Sequence, residues 1–296
     1  MNKFLLVLIV FALSSCQNNT KEKGKEKVET VSSEIELIEM PEDLEEISGI
    51  TFVNDSLVAA VEDENGVLYF FDIAKKEIIR EFTFAEKGDY EDLTRNGNDI
   101  YVIRADGIIY EIANFAAEHP QVTYFKTPLK SKNDIEGLAY DKENHRLLLA
   151  VKEKNLNQKD KEHEFKDIYQ FTLDNKIFDS IPVMRINLKQ IEDKFKEDGL
   201  TEASKKFLKA IGNENINEII KPTALTYHPT NGKLYVLSAG NNFIVTLNPD
   251  GSFADITRFS GKEFMQPEGI AFNSKGELYI SNEGKKNKGN IIKLIK

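Results

Sequence analysis

Apolar residues occur along this chain in short alternating runs that are separated by turns rich in Gly and Asn. Such runs predict β-strands rather than helices. Five of the runs begin alike, with a small or acidic residue ahead of an apolar stretch. The copies lie at residues 48–52 (SGITF), 91–94 (EDLT), 136–140 (EGLAY), 223–227 (TALTY) and 268–272 (EGIAF). This recurrence indicates a repeat architecture in which each copy opens one structural unit.

The spacing of the copies predicts a β-propeller. When they are aligned on Gly49, Asp92, Gly137, Ala224 and Gly269, the intervals are 43, 45, 87 and 45 residues. A period of about 40–45 residues is typical of a four-stranded propeller blade. Further short apolar runs follow each copy, as an antiparallel meander requires. The sequence therefore predicts an all-β fold, a five-bladed β-propeller.

The interval of 87 residues is long enough to contain a sixth blade, but part of it has helical periodicity. Ile191 and Phe195 fall on one face of a helix, and Phe207 and Leu208 fall on another. We therefore expect a helical insertion near 189–211 and five blades, with a six-bladed propeller as the alternative.

The last repeat reaches Lys296 after three strands, whereas each blade needs four. Residues 34–39 (EIELIE) alternate as an edge strand does. We predict that this N-terminal strand joins the last blade and closes the ring, which would also cover an open sheet edge.

The N-terminal residues are typical of an exported lipoprotein. Lys3 precedes an apolar run at residues 4–13, and Cys16, the single cysteine, follows Ser14 and Ser15. We expect a lipoprotein signal peptide at 1–15, lipidation of Cys16, a flexible tether at 16–33 and a propeller domain at 34–296. The alternative is a secreted protein in which the cysteine occurs by chance. The expected location is the cell envelope, as a periplasmic or outer-membrane lipoprotein.

The charge of the chain narrows the range of partners. It carries 49 acidic and 39 basic side chains, a formal net charge of −10. Nucleic acid is therefore not an expected partner, because phosphates require a basic face. An acidic body is also repelled by anionic lipid, so attachment to the membrane would depend on the lipid on Cys16.

Glutamates at equivalent repeat positions are candidates for a metal site. Glu91, Glu136 and Glu268 precede three of the inner strands, and Ser48 and Thr223 precede the other two. In a propeller these positions converge around the central channel, where several carboxylates require a cation, raised pKa values or basic partners. Calcium suits such oxygen ligands. The alternative is that the acids cap strands or pair with basic residues such as Arg104 and Lys152.

A second set of polar residues follows the second strand of each repeat. If these residues share a mouth of the channel with the glutamates, they form a funnel of mixed charge suited to a polar ligand. Otherwise they are solvated turn residues. The set comprises Glu62, Arg104, Lys152, Glu153, Asn282 and Glu283.

Several of these segments resemble the SdiA-regulated family of bacterial envelope proteins. They are residues 89–93 (DYEDL), 134–140 (DIEGLAY), 151–155 (VKEKN) and 267–271 (PEGIA). The resemblance implies a β-propeller with a signal or lipid anchor and a calcium ion, and it implies no particular reaction.

Two functions are consistent with these patterns. The first is a lipid-anchored binding or scaffold protein with calcium near the channel, whose ligand is a small polar molecule or an envelope protein. The second is a calcium-dependent hydrolase of the phosphoesterase or lactonase kind, in which metal-bound water attacks and Glu136 acts as base. No Gly-x-Ser-x-Gly motif supports a serine hydrolase.

Overall fold

The computed structural model describes residues 29–31, 34–156, 164–197, 209, 220–259, 261–285 and 287–295. Within these ranges the chain forms 21 strands, one α-helix and two short 3₁₀ helices at Glu42–Leu44 and Ala239–Asn241. No helix of the described part is long and apolar enough to cross a lipid bilayer.

The strands form five sheets, each of which is one blade, and all pairing within them is antiparallel except that of β1 with blade 4. Two strands, β1 (Glu29–Val31) and β2 (Glu34–Glu39), precede the repeats. Blade 1 contains β3 (Ile47–Phe52), β4 (Leu57–Glu62), β5 (Val67–Asp72) and β6 (Glu77–Thr83); blade 2 contains β7 (Tyr90–Asn96), β8 (Asp99–Arg104), β9 (Ile108–Ala113) and β10 (Gln121–Lys126). Blade 3 contains β11 (Ile135–Asp141), β12 (Arg146–Val151), β13 (Phe165–Thr172) and β14 (Ile177–Asn187). Blade 4 contains β15 (Pro222–Tyr227), β16 (Leu234–Ser238), β17 (Phe243–Leu247) and β18 (Phe253–Phe259), and blade 5 contains β19 (Pro267–Phe272), β20 (Leu278–Asn282) and β21 (Asn290–Ile295) with β2.

The inner strands β3, β7, β11, β15 and β19 form a closed ring, because each contacts the next and β19 contacts β3. The buried residues of the described chain form five hydrophobic clusters, one between each pair of adjacent blades. The prediction of five blades is confirmed, and the six-bladed alternative is wrong.

The N-terminal strand closes the ring as predicted. β2 pairs antiparallel with β21 over six residue pairs, from Glu34 with Ile295 to Glu39 with Asn290. Alternation places Ile38 on the inner side, where it is 1% exposed, and Met40 beyond the strand is equally buried.

Strand pairing begins earlier than the sequence predicts. β1 pairs in parallel with β18, so that Glu29 lies beside Thr257 and Val31 beside Phe259. These three residues belong to the segment 16–33 that we expected to be a flexible tether, and they lie instead at the outer edge of blade 4.

The insertion begins with the helix α1 (Leu188–Glu197). Ile191 and Phe195 are fully buried in the cluster between blades 3 and 4, and the ring of Phe195 lies 5.3 Å from that of Phe243. The described helix agrees with the start of the insertion predicted near 189–211. The rest of that prediction, apart from Lys209, lies outside the described residues.

Candidate functional site

Each inner strand contains one extra residue at the same place near its start. The register with the second strand shifts between Tyr90 and Asp92 in blade 2, and corresponding shifts occur in the other four blades. A β-bulge of this kind redirects a side chain. The extra residues in blades 2 to 5 are Glu91, Glu136, Thr223 and Glu268. The bulges therefore bring the predicted ring residues to one mouth of the channel, which we call the upper mouth.

Just inside the upper mouth, Asp92 connects the inner strands of several blades. Its side chain is 1% exposed. Oδ1 accepts a hydrogen bond from the Leu93 amide at 2.8 Å, and Oδ2 accepts from the amides of Leu138 at 2.8 Å and Leu225 at 3.2 Å. A Cβ atom added to Gly49 would lie 2.6 Å from the Asp92 Cα atom. The glycine of blade 1 therefore leaves the space that Asp92 occupies.

Three carboxylates at the upper mouth lie close enough to share a cation. Oxygens of Glu91, Asp134 and Glu136 all lie within 4.8 Å of one another. We call these residues the carboxylate triad. Oxygens that bind Ca²⁺ at about 2.4 Å are separated by no more than about 4.8 Å. The donor set, which contains only oxygen, therefore fits a hard divalent cation.

Lys152 supplies a positive charge next to the triad. Its Nζ atom pairs with Glu136 Oε1, and its amide donates to the Asp134 carbonyl at 2.7 Å. Pairing of Glu136 with Lys152 was one alternative expected from the sequence. The ammonium group is held on one oxygen of Glu136, so the other oxygen is available to a ligand.

Burial and crowding favour the neutral forms of these acids. Burial raises the pKa of Glu91 to about 10, and the nearby Glu136 and Asp89 carboxylates add to this effect. Burial also raises the pKa of Glu136 well above its usual range, although Lys152 opposes the shift. The pKa of Asp134 is raised by burial as well. A bound cation would reverse this preference, because it stabilises the ionised carboxylates.

At three fully buried residues of the upper mouth, side-chain oxygens have no hydrogen-bond partner among the described residues. They are Glu136 Oε2, Thr223 Oγ1 and Asn282 Oδ1. Their residues are 4%, 2% and 0% exposed. An unpaired buried polar atom costs about 1–3 kcal/mol. Glu136 and Thr223 are the bulge residues of blades 3 and 4, and Asn282 ends the second strand of blade 5, so unpaired oxygens from three blades make the upper mouth a candidate site for a ligand or ion.

Glu268 lies apart from the triad, although we grouped it with Glu91 and Glu136 in the sequence. It lines a cleft between blades 4 and 5 together with Lys152 and Lys285. Burial raises the pKa of Glu268 to about 7, an effect that Lys152 opposes and Glu283 reinforces. The triad member that the sequence analysis missed is Asp134, which has a left-handed backbone with φ of 56°.

The other residues predicted to bind ligand are engaged by neighbours at the upper mouth. Glu62 accepts hydrogen bonds from the Glu64 and Asn65 amides at 3.0 and 2.6 Å, which is a turn-capping role. Arg104 binds Asp106 through two hydrogen bonds of 2.9 and 2.7 Å. Pairing of Arg104 with the glutamates of the mouth was one alternative drawn from the sequence, and the partner observed is Asp106 instead.

The same applies to the predicted ligand residues of blades 3 and 5. Glu153 pairs with Lys221 at 2.6 Å. Glu283 accepts a hydrogen bond from the Gln266 side chain, and Asn282 donates to Asn290 Oδ1 at 3.1 Å. Much of the charge of the predicted funnel is thus paired internally. Cys16, the predicted lipidation site, lies outside the described residues.

The opposite mouth of the channel has different chemistry. It contains a cavity of about 520 Å³ lined by residues at the ends of the inner strands. Four blades supply aromatic side chains at this position, and blade 2 supplies Arg95, whose Nη1 donates to the Val53 carbonyl at 2.6 Å. The aromatic residues are Phe52, Tyr140, Tyr227 and Phe272. Among the described residues, no carboxylate lines this cavity.

A model of the family described as SdiA-regulated matches residues 27–286. The chain belongs to the SdiA-regulated family. The resemblance drawn from the inner-strand motifs is therefore confirmed. No curated protein matches the chain significantly.

Several solved structures are similar in fold to this member of the SdiA-regulated family. The glutaminyl cyclase of Myxococcus xanthus is 11% identical with a TM-score of 0.54, over 92% of this chain and 100% of that one. A streptogramin B lyase is 12% identical with a TM-score of 0.46, over 88% and 98%. A protein of unknown function from Bacteroides thetaiotaomicron is 12% identical with a TM-score of 0.49, over 84% and 58%. At such identities a structural likeness carries no activity across.

Proposed function

We propose that this protein is a lipid-anchored binding protein of the cell envelope, which holds a calcium ion and a small polar ligand at the upper mouth of its propeller. The observation that carries the proposal is the carboxylate triad, in which Glu136 Oε2 is buried and without a hydrogen-bond partner. Binding of an ion there would provide that partner and would offset the repulsion among the three acids.

The charges at the triad support a divalent ion. When all three carboxylates are ionised, they and the Lys152 ammonium carry a net charge of −2. A divalent cation balances that charge, and Ca²⁺ tolerates the irregular geometry and the several oxygen ligands that such a mouth offers. A ligand with hydroxyl or acidic oxygens would complete the coordination from the solvent side.

Thermal melting in calcium and in chelator tests the metal part of the proposal. We expect calcium to raise the melting temperature of the wild type by several degrees, because an ion at about 100 times its Kd adds about 2.7 kcal/mol to stability. Glu136→Gln and Asp134→Asn should abolish the difference between calcium and chelator, whereas the exposed control Glu36→Gln should retain it. If all four proteins melt alike in both conditions, the calcium site is wrong.

A second candidate function is calcium-dependent hydrolysis, favoured by one observation. Glu268 has a pKa of about 7 and lies in the cleft beside Lys152, so it is suited to accept a proton near neutral pH. Assays on phosphoester and lactone substrates separate the two functions. Turnover that is lost in chelator and in Glu268→Gln supports the hydrolase, whereas calcium binding without turnover supports the binding protein.

Replacement of Cys16 tests whether a lipid anchors the protein to the membrane. We expect the wild type to incorporate a labelled fatty acid and to sediment with membranes, because a lipid on the N-terminal cysteine partitions into the bilayer. Cys16→Ser should lose the label and move to the soluble fraction. Equal sedimentation of the two proteins would contradict a lipid anchor.

A further inference from the structure

A cleft opens between blades 4 and 5 beside the upper mouth, with a volume of about 540 Å³. Blade 4 contributes Thr223 from the start of β15 and Arg258 from the end of β18. The segment between the blades contributes Phe264 and Met265, and the loop after β20 contributes Lys285. The cleft is large enough for a small organic molecule.

The lining of this cleft is basic, although the protein as a whole has a net charge of −10. Four cationic side chains face a single carboxylate, that of Glu268. The cations are Lys152, Lys221, Arg258 and Lys285. A local excess of positive charge in a concave site attracts anions and concentrates them.

The four cations differ in how far neighbouring acids neutralise them. Lys152 pairs with Glu136, and Lys221 pairs with Glu153 at 2.6 Å. Within the described chain, Arg258 and Lys285 form neither an ion pair nor a side-chain hydrogen bond, although Lys285 lies near enough to Glu268 and Glu283 to lower the pKa of both. Arg258 is partly buried. A partly buried guanidinium group with five N–H donors favours an anionic partner, and carboxylate and phosphate match its planar geometry.

A buried hydroxyl group adds a second observation. Thr223 is 2% exposed, and its Oγ1 atom has no hydrogen-bond partner among the described residues. Because Thr223 lines the cleft, its hydroxyl is placed to donate to an anion held by Arg258.

The cleft also has an apolar wall. Phe264 packs on Phe259 with ring centroids 4.6 Å apart, which fixes its position. Met265 is 59% exposed at the rim, and a flexible thioether adapts to apolar groups of different shape. A ligand with a short apolar part would cover this exposed surface.

We infer that the cleft between blades 4 and 5 binds a small organic anion, a carboxylate or a phosphate ester, with its charge on Arg258 and Lys285 and its apolar part on Phe264 and Met265. The inference names the chemical class of the small polar ligand and rests on the proposed binding function for that ligand. It does not depend on the metal, because the triad supplies none of these four residues.

Isothermal titration of the purified protein with hexanoate, hexyl phosphate and hexylammonium tests the inference. Hexanoate or hexyl phosphate should bind, and the stronger of the two identifies the anionic group. Hexylammonium has the same apolar part and the opposite charge, so we expect it to bind at least about tenfold more weakly. Inorganic phosphate and acetate, which lack the apolar part, should also bind more weakly.

Variants locate the binding. Arg258→Gln and Lys285→Gln should each reduce the affinity for the preferred anion by about tenfold, as expected for loss of one charge-assisted hydrogen bond. Lys262→Gln removes an exposed charge outside the lining and should leave affinity unchanged. Melting curves confirm that each variant is folded. The inference is overturned if hexylammonium binds as well as the anions, if neither anion binds, or if Arg258→Gln and Lys262→Gln behave alike.

The same titrations in calcium and in chelator separate this inference from the proposed metal site. Anion binding that persists in chelator, together with no calcium effect on melting, would contradict the calcium proposal and support the cleft. Calcium stabilisation without anion binding would contradict the cleft and support the metal site.

Discussion

At the scale of single residues, Asp92 is a buried carboxylate of the channel that accepts hydrogen bonds from the backbone of three blades. The motif position that it occupies is Gly or Ala in the other blades. These small residues let one carboxylate approach several backbones, where it accepts from the amides of Leu93, Leu138 and Leu225. One side chain thus joins three blades.

Asp92→Asn should destabilise the propeller by about 1–3 kcal/mol. The substitution replaces an acceptor oxygen by an amide donor that faces backbone N–H groups, and an unsatisfied buried donor costs about 1–3 kcal/mol. Urea unfolding measures the change. Asp72→Asn is the matched control, because Asp72 Oδ1 caps an exposed turn at Ala74 and Lys75 and Asn keeps that acceptor. Equal stability of the two variants would contradict a central role for Asp92.

Glu268 predicts a pH dependence of stability. Its pKa rises from an ordinary value of 4.5 to about 7 in the folded protein, so the folded state holds a proton that the unfolded chain releases. Stability should therefore fall as pH rises from about 4.5 to 7, by up to about 3 kcal/mol from this group. In chelator, Glu268→Gln should reduce the fall in melting temperature across this range, whereas the exposed control Glu36→Gln should not. An unchanged slope in Glu268→Gln would contradict the assigned shift.

The sequence predicted some members of the site and missed another for a physical reason. Glu91 and Glu136 could be found because the bulge repeats in every blade and the repeat is visible in the motif. Asp134 lies before the strand in a left-handed turn, a conformation that Asp tolerates but that no periodicity reveals. Glu268 occupies the same motif position as Glu136 but faces the cleft. Its neighbours there are Lys152 and Lys285, whereas Glu136 lies beside Glu91 and Asp134.

At the scale of secondary structure, the ring depends on β2, which is far in sequence from its partner β21. Its six residue pairs cover the outer edge of blade 5, and Ile38 and Met40 fill the cluster between blades 5 and 1. Closure by distant segments means that the first and last parts of the domain must fold together.

Removing β2 should cost far more stability than removing β1. A chain that begins at Glu42 loses the buried side chains of Ile38 and Met40, at about 1.5–3 kcal/mol each, and should melt about 10 °C lower. A chain that begins at Glu34 loses three residues of strand pairing at an outer edge and should melt within a few degrees of wild type. Similar melting of both shortened chains would contradict closure by β2.

Alternating apolar positions made most strands predictable. Where this alternation is absent, the observed strands differ from the expected ones. β2 was found because its apolar residues alternate, and α1 because Ile191 and Phe195 are one helical turn apart. β1 has three residues and no pattern that distinguishes it from the tether. β14 extends to 11 residues, longer than the run of apolar residues suggests, because β13 continues alongside it.

At the scale of the whole molecule, the repeat produces two mouths with different chemistry. Residues at the start of the inner strands place carboxylates at the upper mouth, beside the basic cleft between blades 4 and 5, and residues at the ends of these strands place aromatic rings at the other mouth. An acidic protein thus concentrates positive charge in one cleft next to its metal candidate. The arrangement suits a ligand whose anionic group lies in the cleft and whose other oxygens reach the triad.

Anomalous diffraction data from crystals of the protein grown with calcium would show whether the carboxylate triad binds the ion. We expect an anomalous peak about 2.3–2.6 Å from oxygens of Glu91, Asp134 and Glu136, and its loss in Glu136→Gln crystals grown in the same way. A wild-type map without a peak at the triad, in which Lys152 alone contacts Glu136, would contradict the proposed calcium site.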